Sequence, residues 1–229
     1  MDPLLRKNML AYYNERASEY EEAYRLGTGT ASITDPAVFT TDAASLAGIV
    51  DQFGHGDLID LACGTGYWLS HYASRCTSIT LLDQSEQMLA QCRMKAQALS
   101  LTERCRFIQA DFFGHPLDPD SFDSALIGFF VSHLTEPEEA AFFDSLKTML
   151  RPAGRFLILD SAWGELRSRF NVKAGRQERR LNDGTRFEIY KRYLDADDVN
   201  RWAEIYKVTT RIEHFGPGLC AVSGSFIGG

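Results

Sequence analysis

No apolar run in this chain approaches the roughly 20 residues needed to cross a bilayer. Residues 1–22 are charged and tyrosine-rich and contain no signal-peptide core. A cytoplasmic protein that avoids membranes is expected. Cysteine is sparse: Cys63, Cys76, Cys92, Cys105 and Cys220 are odd in number and widely spaced, with no CxxC pair. That pattern argues against a disulfide framework and against a Cys-rich zinc site. The five histidines have no carboxylate or cysteine spacing that suggests a metal centre. Positive charge is also short. Lys and Arg number 24 against 31 Asp and Glu, a net charge of -7, so the average field repels phosphates and nucleic acid is not an expected partner. No internal repeat or low-complexity tract is present. At 229 residues and 45% hydrophobic content, the chain has the length and composition to bury a core unaided.

Residues 4–24 are dense in Tyr, Glu and Arg and read as one helix, with Tyr13, Ala17, Tyr20 and Tyr24 on a shared face. Gly27-Thr28-Gly29-Thr30 through Asp35-Pro36 reads as a loop, and a second helix is expected over residues 36–53. Short apolar runs then alternate with amphipathic segments. Strands are expected at residues 58–61, 78–82, 106–109, 122–131 and 154–160. Helices are expected at the start of residues 69–73 or already from about Gly66, over residues 86–99 with Ser85 as cap, and over residues 136–150 with Pro137 in the first turn. This alternation describes a parallel sheet covered on both faces, with the most apolar run, residues 125–131, at its centre. A short helix over residues 197–204 and an antiparallel pair, residues 205–213 and 219–226, close the chain.

Residues 163–192 break the pattern. They hold nine Lys or Arg against four Asp or Glu, a net of +5, which leaves -12 for the other 199 residues. Within them Asn182-Asp183-Gly184 is a turn signal between residues 177–181 and 185–190, so a hairpin is expected to project from the sheet edge.

The most informative stretch is Leu58-Ile59-Asp60-Leu61-Ala62-Cys63-Gly64-Thr65-Gly66-Tyr67-Trp68. Glycines after a strand let the backbone approach a ligand and adopt positive φ. A third glycine is missing, so this is not a dinucleotide GxGxxG; no Gly-Lys-Ser/Thr makes it a phosphate loop. Asp83 ends the second strand 17 residues after Gly66, where a carboxylate can accept both hydroxyls of a ribose.

Together with Leu81-Leu82-Asp83, Gln109-Ala110-Asp111 and Leu150-Arg151-Pro152-Ala153-Gly154, the glycine stretch resembles the class I S-adenosylmethionine-dependent methyltransferases over roughly residues 12–227. The resemblance implies an α/β, Rossmann-like, seven-stranded sheet with the last strand antiparallel. On this reading residues 1–229 form one methyltransferase domain, with an N-terminal helical cap over residues 1–53 and an inserted basic hairpin over residues 163–192. The cofactor is S-adenosyl-L-methionine. Ala62, Gly64 and Gly66 face its methionine part, Asp60 orients that loop or the cofactor amine, and Asp83 with Gln84 holds the ribose. Asp111 meets the adenine, with Phe112 or Met88 on the ring or simply in the core. Tyr12, Arg16 and Tyr20 form a lid, or pack against the sheet edge; Trp68 and Phe129 complete the cofactor set.

Ligands of open parallel sheets sit beyond the carboxyl ends of the strands, which puts His133 at the reacting centre, as a base or an orienting group. Arg179, Arg180 and Lys191 fall on the hairpin: if it curls over the strand ends they clamp an anion, and otherwise they form a solvated face. The segments Tyr12-Tyr13-x-x-Arg16-Ala17-x-x-Tyr20, Gly64 to Trp68, and Arg179 to Lys191 look like small-molecule O-methyltransferases of bacterial secondary metabolism, including a phosphonate-methylating type. They imply methyl transfer to an oxygen of a small anionic metabolite, a phosphonate or carboxylate. N-methylation of a small amine or heterocycle is the alternative, and a non-catalytic S-adenosylmethionine-binding module is a third reading. Either a monomer or a homodimer is compatible.

Overall fold

The computed structural model describes residues 1–26, 35–168 and 172–228. The loop expected around Gly27 to Thr30 lies outside them. The helices are α1 (Pro3–Arg16), α2 (Glu22–Leu26), α3 (Pro36–Phe53), α4 (Leu69–Tyr72), α5 (Glu86–Ala98), α6 (Glu136–Met149), α7 (Glu165–Ser168) and α8 (Ala196–Ile205). The strands are β1 (Gly56–Leu61), β2 (Cys76–Asp83), β3 (Cys105–Gln109), β4 (Phe122–Gly128), β5 (Leu150–Ser161), β6 (Ala174–Arg180), β7 (Arg186–Arg192), β8 (Val208–Phe215) and β9 (Leu219–Phe226).

Seven strands form one sheet in the order β3-β2-β1-β4-β5-β9-β8. The first five run parallel, and β9 enters antiparallel between β5 and β8. Alternation with period two explains why both faces are apolar. Leu58, Leu126 and Leu157 point into one core with Leu46 and Val50 of α3, while Ile59, Ile127 and Phe156 point into the other with Phe142, Phe143 and Trp202. The central β4 is fully buried at Ala125, Leu126 and Ile127, as its continuous hydrophobicity predicts. The order reverses between β1 and β4, which opens a crevice at their carboxyl ends.

Three expectations change. The single helix over residues 4–24 is two helices, because the intervening acids have separate partners. Glu21 accepts from the Thr65 hydroxyl at 2.7 Å, whereas Glu19 accepts from the Asn182 backbone N–H at 3.0 Å. Of the two expected starts of the next helix, Leu69 is observed and Gly66 is not; the helix is one turn long, so no long helix dipole aims at the glycine turn. Strand β4 stops at Gly128, since Phe129 takes φ 57° and residues 131–133 form a tight 3-10 turn. The expected hairpin is present as a unit of its own. It is a separate two-stranded sheet, tied to the end of β5 by the Ala162–Leu194 bridge and covered by α1. Tyr12 and Met9 of α1 pack there on Leu181 and Ile189. The expected turn is present, with Gly184 at φ 92°.

Among the described residues, no helix is long and apolar enough to cross a membrane.

Candidate functional site

The carboxyl ends of β1, β2 and β4 frame the first of two cavities. Ala62 and Gly64 leave β1 with φ of 55° each. That left-handed backbone is costly for Ala62 and natural for glycine. The Gly64 N–H donates to one oxygen of Asp83 at 2.9 Å, and the Ser85 N–H donates to the other at 2.8 Å. Asp83 is buried, and burial, opposed by these backbone donors, raises its pKa to about 6. Each carboxylate oxygen retains acceptor capacity for a hydroxyl. Gln84, Met88, Asp111, Phe112, Phe129 and His133 line the same cavity. Asp111 accepts from the Phe113 N–H at 3.1 Å and faces Arg6 of α1 at 3.6 Å.

A second cavity lies beside the first, beneath α1 and the hairpin. Tyr12, Arg16, Arg167, Arg179, Lys191 and Tyr193 line it. The two cavities share Tyr13, Tyr20, Phe129 and His133 as walls, so these four residues form a neck between them. His133 Nδ1 lies 2.7 Å from the Tyr190 carbonyl oxygen, which can only accept. Nδ1 therefore carries the hydrogen and donates, leaving Nε2 to accept from the Tyr13 hydroxyl at 2.7 Å. Burial holds the His133 pKa well below its ordinary value, and the nearby charges of Lys191, Arg179 and Arg16 push it the same way, against the Tyr190 bond. The imidazole is neutral.

Lys191 is buried, and burial lowers its pKa against the pull of Asp160 at 3.3 Å. Lys191 also donates to the Ser132 hydroxyl. The fully buried Asp160 accepts from the Ser132 N–H at 2.9 Å, so one carboxylate ties Lys191 to the turn that carries His133.

The structure therefore assembles Ala62, Gly64, Asp83, Gln84, Met88, Asp111, Phe112 and Phe129 around one cavity, and Tyr12, Arg16, Tyr20, Arg179 and Lys191 around the other, with His133 between. It does not bring in four others. Asp60 lies beneath the loop and accepts from the Tyr72 hydroxyl at 2.8 Å. Gly66, at φ 71°, packs so closely that a Cβ would come within 2.7 Å of the Cys92 sulfur. Trp68 packs on Tyr24 and Tyr67. Arg180 is exposed and lines neither cavity. The register explains the last: Arg179 pairs with Phe187, Gln177 with Ile189 and Gly175 with Lys191, so these share one hairpin face while Arg180 and Arg186 share the other. Tyr13, Arg167 and Tyr193 were not among the expected site residues. The period-two pattern of the hairpin, extended two residues beyond Lys191, is the signal that points to Tyr193.

Burial raises the Asp60 pKa to about 7, with the Tyr72 hydrogen bond acting the other way. The unfolded chain releases this proton near pH 4, so between about pH 4 and 7 the folded chain holds more protons. Stability is lost as pH rises through that window. We expect the melting temperature to fall from pH 5 to pH 8 and the Asp60→Asn variant to show a shallower fall; equal slopes in thermal melts would contradict this.

Comparison with known proteins agrees with this layout. Residues 58–154 match a family model described as methyltransferase domain. The chain is 34% identical over 103 residues to a demethylmenaquinone methyltransferase of Clavibacter sepedonicus, covering 45% of this chain and 40% of the relative. It is 30% identical over 105 residues to the ubiquinone/menaquinone biosynthesis C-methyltransferase UbiE of Roseobacter denitrificans, covering 45% and 41%. The chain thus aligns with about two fifths of the length of these curated relatives. The fold extends further: the solved DhpI-SAM-HEP complex superposes with a TM-score of 0.78 over 98% of this chain and 99% of that one, at 24% identity. The relatives named for C-methylation overturn the expectation of methyl transfer to oxygen, and with it the nitrogen alternative. The basic hairpin had suggested an oxygen nucleophile because it suits an anion. Cations bind an anion whichever of its atoms takes the methyl, so that inference from charge did not discriminate.

Proposed function

We propose that this chain, whose residues 58–154 match the methyltransferase-domain family model, is an S-adenosylmethionine-dependent methyltransferase acting on a carbon of a small acceptor with an ionisable oxygen. The observation that carries the reading is the shared neck: two cavities meet at Tyr13, Tyr20, Phe129 and His133, one suited to a nucleoside and one lined with cations.

The residues present fit the cofactor. The carboxylate of Asp83 suits the ribose hydroxyls, Asp111 the adenine amino group, and Met88 and Phe112 the ring faces. The turn at Ala62 and Gly64 suits the methionine part. When bound, S-adenosylmethionine supplies a methyl group already activated on a sulfonium. The chain's own task is to hold the acceptor in line and exclude water. Tyr13, fixed by His133, closes the neck from above; Arg179, Lys191 and Arg167 draw the acceptor's oxygen to the far side. An enolate or phenolate oxygen spreads its charge to a neighbouring carbon, and the names of the curated relatives support carbon as the methylated atom. The cations stabilise that oxygen while leaving the carbon free. Five unpaired cysteines support a reducing, cytoplasmic setting.

Isothermal titration with S-adenosylmethionine tests the reading. Saturable binding to one site is expected; absence of binding at millimolar cofactor would contradict it. His133→Ala is expected to lower kcat about 100-fold, the loss that a displacement of about 1 Å at a reacting centre can cause. The shape of the kcat–pH profile above pH 7 stays unchanged, because burial and the nearby cations keep the imidazole neutral there. Unchanged turnover would remove His133 from the neck's function.

A further inference from the structure

We propose that the phenolic oxygen of Tyr193 is the base that takes the proton from the acceptor's enol or phenol. The proposal rests on the methyltransferase reading above and deepens it. A carbon acceptor of this kind reacts as its anion, so the site must remove a proton. His133 is poorly placed for this. Its Nε2 lone pair is engaged by Tyr13, and three cations disfavour the imidazolium.

Two of those cations, Lys191 and Arg179, together with Arg167, favour a phenolate. Tyr193 follows β7, two residues after Lys191, and lines the cation cavity together with His133. Its side chain is almost fully buried. The Trp163 ring lies nearly parallel, with centroids 5.9 Å apart, and the Arg167 guanidinium sits 4.5 Å from the Tyr193 ring centroid. The charged groups facing the phenol are Arg167 of α7, Arg179 of β6 and Lys191 of β7, while Asp160 of β5 pairs with Lys191. Burial opposes ionisation, but the three cations outweigh it and hold the phenol below its ordinary value.

The hydrogen bonding leaves room for the ionised form. The Tyr193 hydroxyl donates to Gln177 Oε1 at 2.9 Å, and Arg179 donates to the same oxygen at 2.9 Å. Gln177 Nε2 is buried without a partner, as is Arg167 Nε. Turning the Gln177 amide over presents its N–H to the Tyr193 oxygen and frees Arg179 to donate there as well. An unpaired buried donor costs stability, and a phenolate at this position would relieve it.

In the proposed step the acceptor O–H bond breaks and its proton passes to the Tyr193 phenolate, forming the neutral phenol. The electron pair stays on the acceptor oxygen, conjugated to the carbon that takes the methyl. Tyr193 later returns the proton to solvent.

Ultraviolet difference titration of tyrosinate in the full chain tests this. Burial pushes Tyr13, Tyr20, Tyr24, Tyr67, Tyr72, Tyr190 and Tyr206 upward, so an early step stands apart from them. We expect one tyrosine to ionise below the ordinary value of about 10. The step should vanish in Tyr193→Phe and move up in Arg179→Ala. With any acceptor that the unmodified chain methylates, Tyr193→Phe should lower kcat about 100-fold, within the usual range for a proton-transfer group, at unchanged cofactor Kd. No early step, a step that survives in Tyr193→Phe, or unchanged turnover in that variant would overturn the assignment. If the unmodified chain fails to bind S-adenosylmethionine, the parent reading fails; if it binds and the early step is missing, the Tyr193 assignment alone fails.

Discussion

Replacing Asp83 by alanine is expected to weaken S-adenosylmethionine binding by about 100-fold or more, the largest single effect on the cofactor side. Two separate contributions add. A buried carboxylate at the end of β2 suits the ribose hydroxyls, and charge-assisted hydrogen bonds contribute about 1.5–3 kcal/mol each. The same carboxylate accepts from Gly64 and Ser85, which fixes the turn after β1 against the start of α5. Alanine leaves both N–H groups without their partner, so the loop loses its shape as well as its acid. Asp83→Asn loses the charge and one backbone acceptor but keeps the other, because its amide nitrogen meets only one of those donors head-on. Titration calorimetry on both variants gives the ordering: wild type tightest, asparagine intermediate, alanine weakest. Wild-type affinity in Asp83→Ala would place the ribose elsewhere.

The second large effect falls on the acceptor. Arg179→Ala and Lys191→Met should each raise the acceptor KM by about 30-fold or more, in line with roughly 2–5 kcal/mol for truncating one side of a buried charged hydrogen bond. The cofactor Kd should stay within about threefold, since neither residue lines the nucleoside cavity. Lys191 is buried against Asp160, so its removal strands a carboxylate and also lowers stability. Arg179 carries no such penalty and separates binding from folding. Arg180→Ala is the internal control, expected to match wild type, because its side chain lies on the outer face of the hairpin. Steady-state kinetics on the set decides: equal effects at positions 179 and 180 would dismiss the hairpin as the acceptor site.

The cofactor side was legible in the sequence for a physical reason. In a parallel sheet each strand delivers the residue at its carboxyl end to the same edge. Asp83 and Asp111, which follow two short apolar runs, therefore converge on the turn at Gly64 without any knowledge of long-range packing. Asp60 illustrates the limit. It belongs to the same motif, yet it is turned beneath the loop toward Tyr72. The acceptor side was legible in composition only. A local excess of arginine and lysine located the hairpin, but sorting Arg179 from Arg180 required its register, which the strand pairing shows. Tyr13 and Arg167 reach the cavity through packing of α1 and α7 that no local pattern encodes. The break after Arg16 is of the same kind: helix-forming residues yield to hydrogen bonds made with Thr65 and Asn182, far along the chain.

A crystal structure of the chain with S-adenosylhomocysteine tests the central claim most directly. The ribose is expected on Asp83, the adenine between Met88 and Phe112 near Asp111, and the sulfur at the neck formed by Tyr13, Tyr20, Phe129 and His133, facing Lys191 and Arg179. A ligand seated with its sulfur away from that neck, or bound outside the cavity at the ends of β1, β2 and β4, would contradict it.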